Sequence, residues 1–435
     1  MSGTYRKINE LNLYLKKSLT AAIIIIRLRT NSFQLLVFQG RNIGHCMKME
    51  TLKSLTNFTD RFYEQIINET HSQWENVFLS PFNIYTALGI VLSGSGNNTK
   101  AEMIKAMQLS DCLEHDKVHR EIGQLLNDCS KSSEGVNMIL ANRLFVAQNV
   151  RIKEQFKTNL KTYYDAPTEH VAFQTDIEGS RNRINQWVSK QTKGQIQELL
   201  PPGFLTKDTC AVVTATTYFK GLWNMCFPED NSHTSEFYEL NGSKMSVKLM
   251  YNESFFDMVS LPHLKSRAAK IPFKDPKFTL LIVLPDANDG LPDLLDSMYK
   301  HGGISSILST SFENTKLRLY LPKFKLREGN AIKLKDHLQK LGINDAFCDL
   351  SADFSNISDS DRLFISDVIH KAIFEVDEKG AVAAAATATQ MVFCTSIRPH
   401  KPVPEFRVDH PFFISIVWNN CLPIFLGHIT SPLND

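Results

Sequence analysis

The sequence predicts an α+β protein that forms one large domain, and three observations carry that expectation. Apolar residues recur at helical spacing early in the chain, apolar runs of strand character dominate later, and no fixed-period repeat or Ser- or Pro-rich linker divides it. Length alone, at 435 residues, would allow two or three domains of about 150 residues, but large one-domain folds break that figure.

Residues 1–46 differ in texture from the rest of the chain. Lys16 and Lys17 precede the short apolar stretch Leu19 to Ile26, Arg27 closes it, and no A-x-A cleavage site comes after it. A basic region before an apolar core resembles a secretory signal, whereas a mitochondrial presequence would be richer in Arg. The segment reads as an appended leader before Met47, outside a single domain over 47–435.

From there Leu55, Phe58, Phe62 and Ile66 fall three and four apart, the stripe of an amphipathic helix. Ser80-Pro81 marks a second helix start, because a Ser hydroxyl can accept from free N–H groups and Pro fits the first turn. Arg181 to Lys190, with Ile184, Trp187 and Val188 on one face, and Gly329 to Leu341, closed by Gly342, also read as helices. Strands are expected at Cys210 to Phe219, Phe278 to Leu284, Thr315 to Leu326, Ala372 to Val376, Pro411 to Trp418 and Leu422 to Ile429. Leu317, Leu319 and Leu321 alternate with Lys316, Arg318 and Tyr320, so one face of that strand is buried. The others are apolar on both faces, as in the middle of a covered sheet.

Composition excludes several function classes. With 48 basic and 46 acidic residues, no nucleic-acid partner is implied. No run of 18 apolar residues occurs, so no membrane partner is expected. Eight cysteines without a C-x-x-C pair read as single buried thiols rather than a disulfide framework or a zinc site. Sequons at Asn57, Asn68, Asn97, Asn241, Asn252 and Asn356 suit a secreted glycoprotein, although an Asn-rich chain produces several by chance.

His115-Asp116-Lys117-Val118-His119 resembles an H-E-x-x-H zinc site, but a third ligand is missing and the charged neighbours point to a solvated polar helix. Ser93-Gly94-Ser95-Gly96 lacks the leading Gly of a nucleophile elbow, and no phosphate-binding or dinucleotide motif occurs. The chain is therefore not expected to be an enzyme or to need a cofactor or a metal.

One tract stands apart: Glu378 to Thr389, an Ala-rich run, followed by Gln390 to Pro404. Ala favours helix, yet a strand precedes this run and a Pro-bearing tract comes after it. Small residues without Pro are also what a segment needs if it must enter an existing sheet. Alternation would turn Ala381, Ala383, Ala385, Thr387, Thr389 and Met391 to one face.

From about Met49 to Pro432 the sequence resembles a serpin of the intracellular, ovalbumin-like branch. The motifs that carry this are NVFLSPFNIYTAL from Asn76, ANRLF from Ala141, INQWV from Ile184, YFKGLW from Tyr218, LPKF from Leu321 and LGINDAF from Leu341. ADFSNIS from Ala352, ISDVIHKAIFEVDEKG from Ile365, DHPFFISI from Asp409 and IFLGHITSP from Ile424 complete the set. The resemblance implies three β-sheets, one of them large and central, about nine helices, and an exposed reactive-centre loop. It further implies a suicide inhibitor, in which a protease cleaves the loop, stays linked as an acyl-enzyme and is carried along as the loop inserts into the central sheet. A non-inhibitory serpin acting as carrier, chaperone or storage protein is the alternative.

Carried over by position, Glu378, Gly380, Ala381, Ala383, Ala385 and Thr387 match the hinge, with Val382 in place of the usual acidic residue. Glu378 is expected to pair with Lys323 of LPKF, near Trp223. Fourteen residues from Gly380, the scissile bond falls at Cys394-Thr395, with Phe393-Cys394 as the alternative; Arg398 is followed by Pro399, which disfavours a trypsin-like target. A chymotrypsin- or elastase-like serine protease is thus the implied partner, of a monomer, in an extracellular setting with a cytoplasmic alternative. Where the sheet must open, Ser80 and His370 match the family's polar cluster, but Asn83 stands in place of its usual Ser and Ala215 in place of its usual Asn. Asn83 is therefore expected to supply the missing amide and hydrogen-bond His370.

Overall fold

A computed structural model describes residues 49–70, 74–110, 115–131, 133–326, 331–359, 363–378 and 402–432. The extension expected over 1–46 lies outside them. Among the described residues are nine α-helices: α1 (Met49–Thr70), α2 (Pro81–Gly94), α3 (Asn97–Ala106), α4 (His115–Ser130), α5 (Glu154–Tyr164), α6 (Ile177–Gln191), α7 (Leu291–Lys300), α8 (Gly303–Leu308) and α9 (Lys335–Lys340). None is long and apolar enough to cross a membrane.

The first helix buries the stripe that its spacing announces: Leu55, Phe58, Phe62 and Ile66 are all in the core. Helix α2 is buried along its whole length, apolar nearly all round as a central helix must be. Its start is fixed by Ser80, whose Oγ accepts from Asn83 N at 3.2 Å, and by Pro81 in the first turn.

The strands are β1 (Val77–Leu79), β2 (Val136–Ala147), β3 (Glu169–Val171), β4 (Ala211–Gly221), β5 (His233–Tyr238), β6 (Lys244–Leu261), β7 (Ser266–Pro272) and β8 (Phe278–Pro285), then β9 (Glu313–Pro322), β10 (Phe324–Leu326), β11 (Ile332–Lys333), β12 (Asp367–Val376), β13 (Glu405–Arg407), β14 (Phe412–Trp418) and β15 (Leu422–Ile429). One hydrogen-bonded sheet runs β1-β15-β14-β8-β7-β6-β9-β13, with β5 on β6. The 18-residue β6 pairs with β5 through Lys244–Leu249 and with β7 only from Asp257 to Leu261, so its two halves have different neighbours. Two of the three expected sheets thereby join in one ladder. The second sheet runs β10-β12-β4-β2-β3, with β11 on β12.

Strands β8, β14 and β15 are buried at every residue, matching their two-faced apolar sequences. Several expected boundaries change: β12 begins at Asp367 rather than Ala372, and α6 at Ile177 rather than Arg181. The strand expected over 315–326 breaks at Lys323, whose N–H donates to Lys248 O at 2.8 Å; β9 ends in one sheet and β10 begins in the other. The helix expected from Gly329 shrinks to α9, because Ile332 and Lys333 pair with His370 and Ile369 of β12 instead. Gly342, φ +101°, comes just after the helix where a left-handed conformation is needed.

Two expectations about side chains also change. None of the five described cysteines is in a disulfide, but only Cys129 is buried, and Cys226, in the irregular segment after β4, is exposed. On α4, His119 is not solvated: it is buried, with Nδ1 2.6 Å from the Tyr164 hydroxyl, because α4 packs this face on α5. The described residues bring no group of three His, Cys, Asp or Glu together as metal ligands.

Candidate functional site

Strands β4 and β12 lie side by side and parallel, paired from Val212 with Asp367 to Phe219 with Phe374. Their outer neighbours, β2 and β10, are antiparallel to them. This parallel seam divides the six-stranded sheet. By the two-residue period of a strand, His370, Ala372 and Phe374 share the face that meets α2, while Ile369, Lys371 and Ile373 take the opposite face.

At the middle of the seam sits His370, fully buried. Its Nδ1–H donates to Ala215 O at 2.7 Å, across to β4, and its Nε2 accepts from Ser80 N at 3.0 Å, at the start of α2. Both partners have a single role, so the tautomer is set by them. Burial pushes the imidazole down to about 4, against the opposing pull of the Ala215 bond. The Ser80 hydroxyl in turn donates to Ile424 O at 2.9 Å.

Asn83 does not hydrogen-bond His370, contrary to the expectation from sequence. Its Nδ2 donates to Thr216 O at 3.1 Å and Thr217 Oγ1 at 3.0 Å, both on β4. The reason is that main-chain groups already saturate both imidazole nitrogens. Thr86 Oγ1 donates to Asn83 O at 2.8 Å and accepts from Asn142 Nδ2 of β2 at 2.7 Å. Helix α2 is thus fastened to β2, β4 and β12 through side chains that nothing in the sequence singles out at Thr86, Asn142 and Thr217. The run T-A-T-T in a buried strand is the available signal, since each buried hydroxyl needs a partner.

The upper end of the seam is closed by charge. The Glu378 side chain, 4% exposed, takes Lys323 Nζ at 2.6 Å and Lys248 Nζ at 3.1 Å. Burial alone would raise its carboxyl, but the Lys323 hydrogen bond, a backbone N–H and Lys248 outweigh it and hold it at about 2. The expected pair is therefore present, with Lys248 as an added partner. Trp223 Nε1 donates to Asp377 O at 2.8 Å and Phe227 N to Glu378 O at 3.0 Å. Trp223 is held for this by stacking on Phe273, ring centroids 4.7 Å apart. Lys220 lies 3.6 Å from Glu375 and 3.5 Å from Asp377, and Lys325 2.8 Å from Glu375.

Beyond Glu378 the chain returns at Pro402 and enters β13, which pairs with β9 from Glu405 with Arg318. Gly380, Ala381, Ala383, Ala385 and Thr387 of the hinge lie outside the described residues, as do the reactive-bond candidates Phe393, Cys394 and Thr395.

A family model described as Serpin (serine protease inhibitor) matches residues 53–432. The chain belongs to the serpin family. This serpin is 30% identical over 396 residues to Serpin B3 of Homo sapiens, covering 88% of the chain and all of the relative. It is 33% identical over 362 residues to Leukocyte elastase inhibitor A of Rattus norvegicus, covering 82% of the chain and 93% of the relative. Uncleaved ovalbumin superposes with a TM-score of 0.75 at 27% identity, covering 87% of this serpin and 100% of that chain. These likenesses place it with the intracellular, ovalbumin-like branch. Thyroxine-binding globulin in complex with thyroxine shares the fold, TM-score 0.77 at 21% identity, covering 89% of this serpin and 100% of that chain.

Proposed function

We propose that this serpin is a suicide inhibitor of serine proteases with chymotrypsin- or elastase-like specificity. The protease serine attacks the carbonyl of Cys394, with Phe393 the alternative; the amine of the next residue leaves, and an ester links inhibitor to enzyme. The freed segment then enters between β4 and β12, before the ester hydrolyses. The chain is consumed and is not a catalyst.

The parallel seam carries this reading. A segment that leaves Val376 and turns back runs antiparallel to β12, and because β4 is parallel to β12, antiparallel to β4 as well. Antiparallel ladders are slightly more stable per residue than parallel ones. The hinge residues Ala381, Ala383, Ala385 and Thr387 are small and uncharged, so their burial displaces little. The name of the rat relative, an elastase inhibitor, supports the target class. The carrier alternative has only shared fold behind it. An extracellular setting finds no support among the relatives, and the branch favours the cytoplasmic alternative.

Incubation with chymotrypsin, elastase, trypsin and a papain-like protease, followed by denaturing electrophoresis and mass spectrometry of the released peptide, tests the reading. A denaturant-stable band at the summed mass is expected with chymotrypsin or elastase, and the peptide mass fixes the bond. Cleavage without that band, with no rise in melting temperature of the cut protein, would overturn it.

A further inference from the structure

Far from the seam, two imidazoles meet where the connection from β6 to β7 passes the end of α7. His263 stands in the 3-10 turn Pro262–Leu264 that makes this connection, and His301 caps the C-terminus of α7. Both residues are exposed, and their ring centroids lie 5.4 Å apart with the planes at 61°. The His301 ring is fixed from behind. Its Nδ1 lies 2.7 Å from Ser297 O, and because a carbonyl only accepts, Nδ1 carries the proton and Nε2 keeps its lone pair. The main-chain N–H of His301 reaches Ser297 O and Met298 O, both at 3.2 Å, so backbone and ring are held by the same last turn. His263 is held by its own turn, where Lys265 N donates to Pro262 O at 3.1 Å and Leu264 is buried.

A metal-ligating imidazole ordinarily donates its other ring N–H to a carbonyl or carboxylate, which sets the tautomer and aims the remaining lone pair. His301 has that arrangement with Ser297 O. The spacing of the two rings also suits a shared ion. Zinc stands about 2.0–2.1 Å from an imidazole nitrogen and the ring centre about 1.1 Å beyond it, so a tetrahedral angle at the ion separates two ring centroids by about 5.2 Å. The observed separation is 5.4 Å. The carbonyl end of α7, the negative end of its dipole, lies beside His301 and favours a cation there, whereas the flanking Lys265 and Lys300 oppose one.

We propose that His263 and His301 form a two-imidazole chelate site for a divalent late transition metal, zinc above all, with water completing a tetrahedral shell. Imidazole nitrogen suits Zn2+, Cu2+ and Ni2+ and rejects Mg2+ and Ca2+, which take oxygen ligands. The bound ion ties the β6–β7 connection to the end of α7. Neither belongs to the six-stranded sheet, so the site is independent of the suicide-inhibitor reading. With two protein ligands, it is an open site whose remaining positions hold exchangeable water.

The test uses the full chain, free of any polyhistidine tag, in calorimetric titrations with Zn2+, Ni2+ and Mg2+. Zn2+ and Ni2+ should bind and Mg2+ should not. His263→Ala and His301→Asn, the latter keeping an amide donor for Ser297 O while removing the Nε2 ligand, should each weaken zinc binding by about 10- to 100-fold or more, since loss of an outer partner alone costs that much. The double variant should be no weaker than either single one, because each loss already breaks the chelate, and His263→Cys should restore binding through its thiolate. Saturating zinc should raise the melting temperature of the unmodified chain and not of the variants. Acidification should weaken binding, because the metal competes with protons for the ring nitrogens, whereas added salt should not, as it would for a cation held by diffuse charge. His233→Ala is the control, an exposed imidazole whose ring neighbour is Tyr320, and it should bind zinc like the unmodified chain. Zinc affinity unchanged in both site variants, an equal loss in His233→Ala, additive losses in the double variant, or zinc-dependent dimers in sedimentation would overturn the proposal, the last because the ion would then bridge two chains instead of two rings of one.

Discussion

His370 makes the stability of the closed seam depend on pH, with a sign that its geometry fixes. Its Nδ1–H is committed to Ala215 O and its Nε2 lone pair to the Ser80 N–H, so a second proton on Nε2 would set one N–H against another. Burial holds the imidazole at about 4, down from 6.5. Between those values the unfolded chain binds a proton that the native protein does not, so stability rises with pH across that window. The contribution is complete above pH 6.5 and is lost as pH falls towards 4. At about 1.36 kcal/mol per unit, it amounts to about 3 kcal/mol in full and about 2 kcal/mol by pH 5. His428 is also buried and held at about 4, so the pH profile of the unmodified protein reports both imidazoles and only a variant separates them. His370→Asn should be less stable by about 1–3 kcal/mol at pH 7.5, because the buried Ser80 N–H loses its acceptor. At pH 5 the gap to the unmodified protein should shrink by about 2 kcal/mol. Urea midpoints at pH 7.5, 6 and 5 measure it. A gap that stays constant from pH 7.5 to 5 refutes the reasoning, since it means that the buried imidazole does not resist protonation.

Three further outcomes concern the seam. Glu378→Gln should cost about 1–2 kcal/mol at pH 7, less than the full displacement to about 2 implies because Lys323 and Lys248 are partly exposed; the depressed carboxyl contributes above pH 4.5 and loses that contribution as pH falls towards 2, so unfolding midpoints of variant and unmodified protein should converge on acidification. A double-mutant cycle of Asn83→Ala and Thr217→Val should give a coupling of about 0.5–1.5 kcal/mol, and strict additivity would mean that the 3.0 Å contact contributes nothing. Ala381→Arg should turn inhibitor into substrate, because insertion would bury an unpaired guanidinium at a cost of several kcal/mol; undiminished complex in a titration against chymotrypsin would show that the hinge register is wrong.

How much of the seam is legible in the sequence depends on which chemical groups hold it. Strands buried on both faces, such as β8, β14 and β15, announce themselves because every position is apolar. The α1 stripe and the Ser80 cap are equally local signals. Strand β6 escapes a reading by period because its exposed and buried positions reflect a change of neighbours halfway along it. The gate pair Glu378–Lys323 is reached through the family motifs, yet Lys248, on an exposed position of β6, gives no sign of joining it. The expected Asn83–His370 bond fails for a deeper reason: the partners of His370 are the carbonyl of Ala215 and the amide of Ser80, and main-chain groups carry no signature in the residue type.

On the suicide-inhibitor reading proposed above, insertion replaces the parallel seam by two antiparallel ladders, the pairing that is slightly more stable per residue, so the intact protein would be held by a barrier and not by a minimum. The fasteners stand on three sides of one line. Glu378 with its two lysines and the Trp223 and Phe227 bonds to the main chain at 377–378 close the upper end. His370 and Asn83 close the inner face against α2, and on the outer face Lys371 of β12 donates to Glu198 O at 3.4 Å. In the uncut chain a fourth restraint is covalent: the segment after Glu378 is anchored again where Arg318 N donates to Pro404 O at 3.0 Å and β13 pairs with β9. Proteolysis removes only this last one. On the same reading, the noncovalent fasteners would then decide how long the acyl-enzyme waits, with hydrolysis of the ester competing during that wait. A variant that loosens one fastener therefore changes the partition between trapped and released protease without changing the inserted end state, whereas a charge placed in the hinge changes the end state itself.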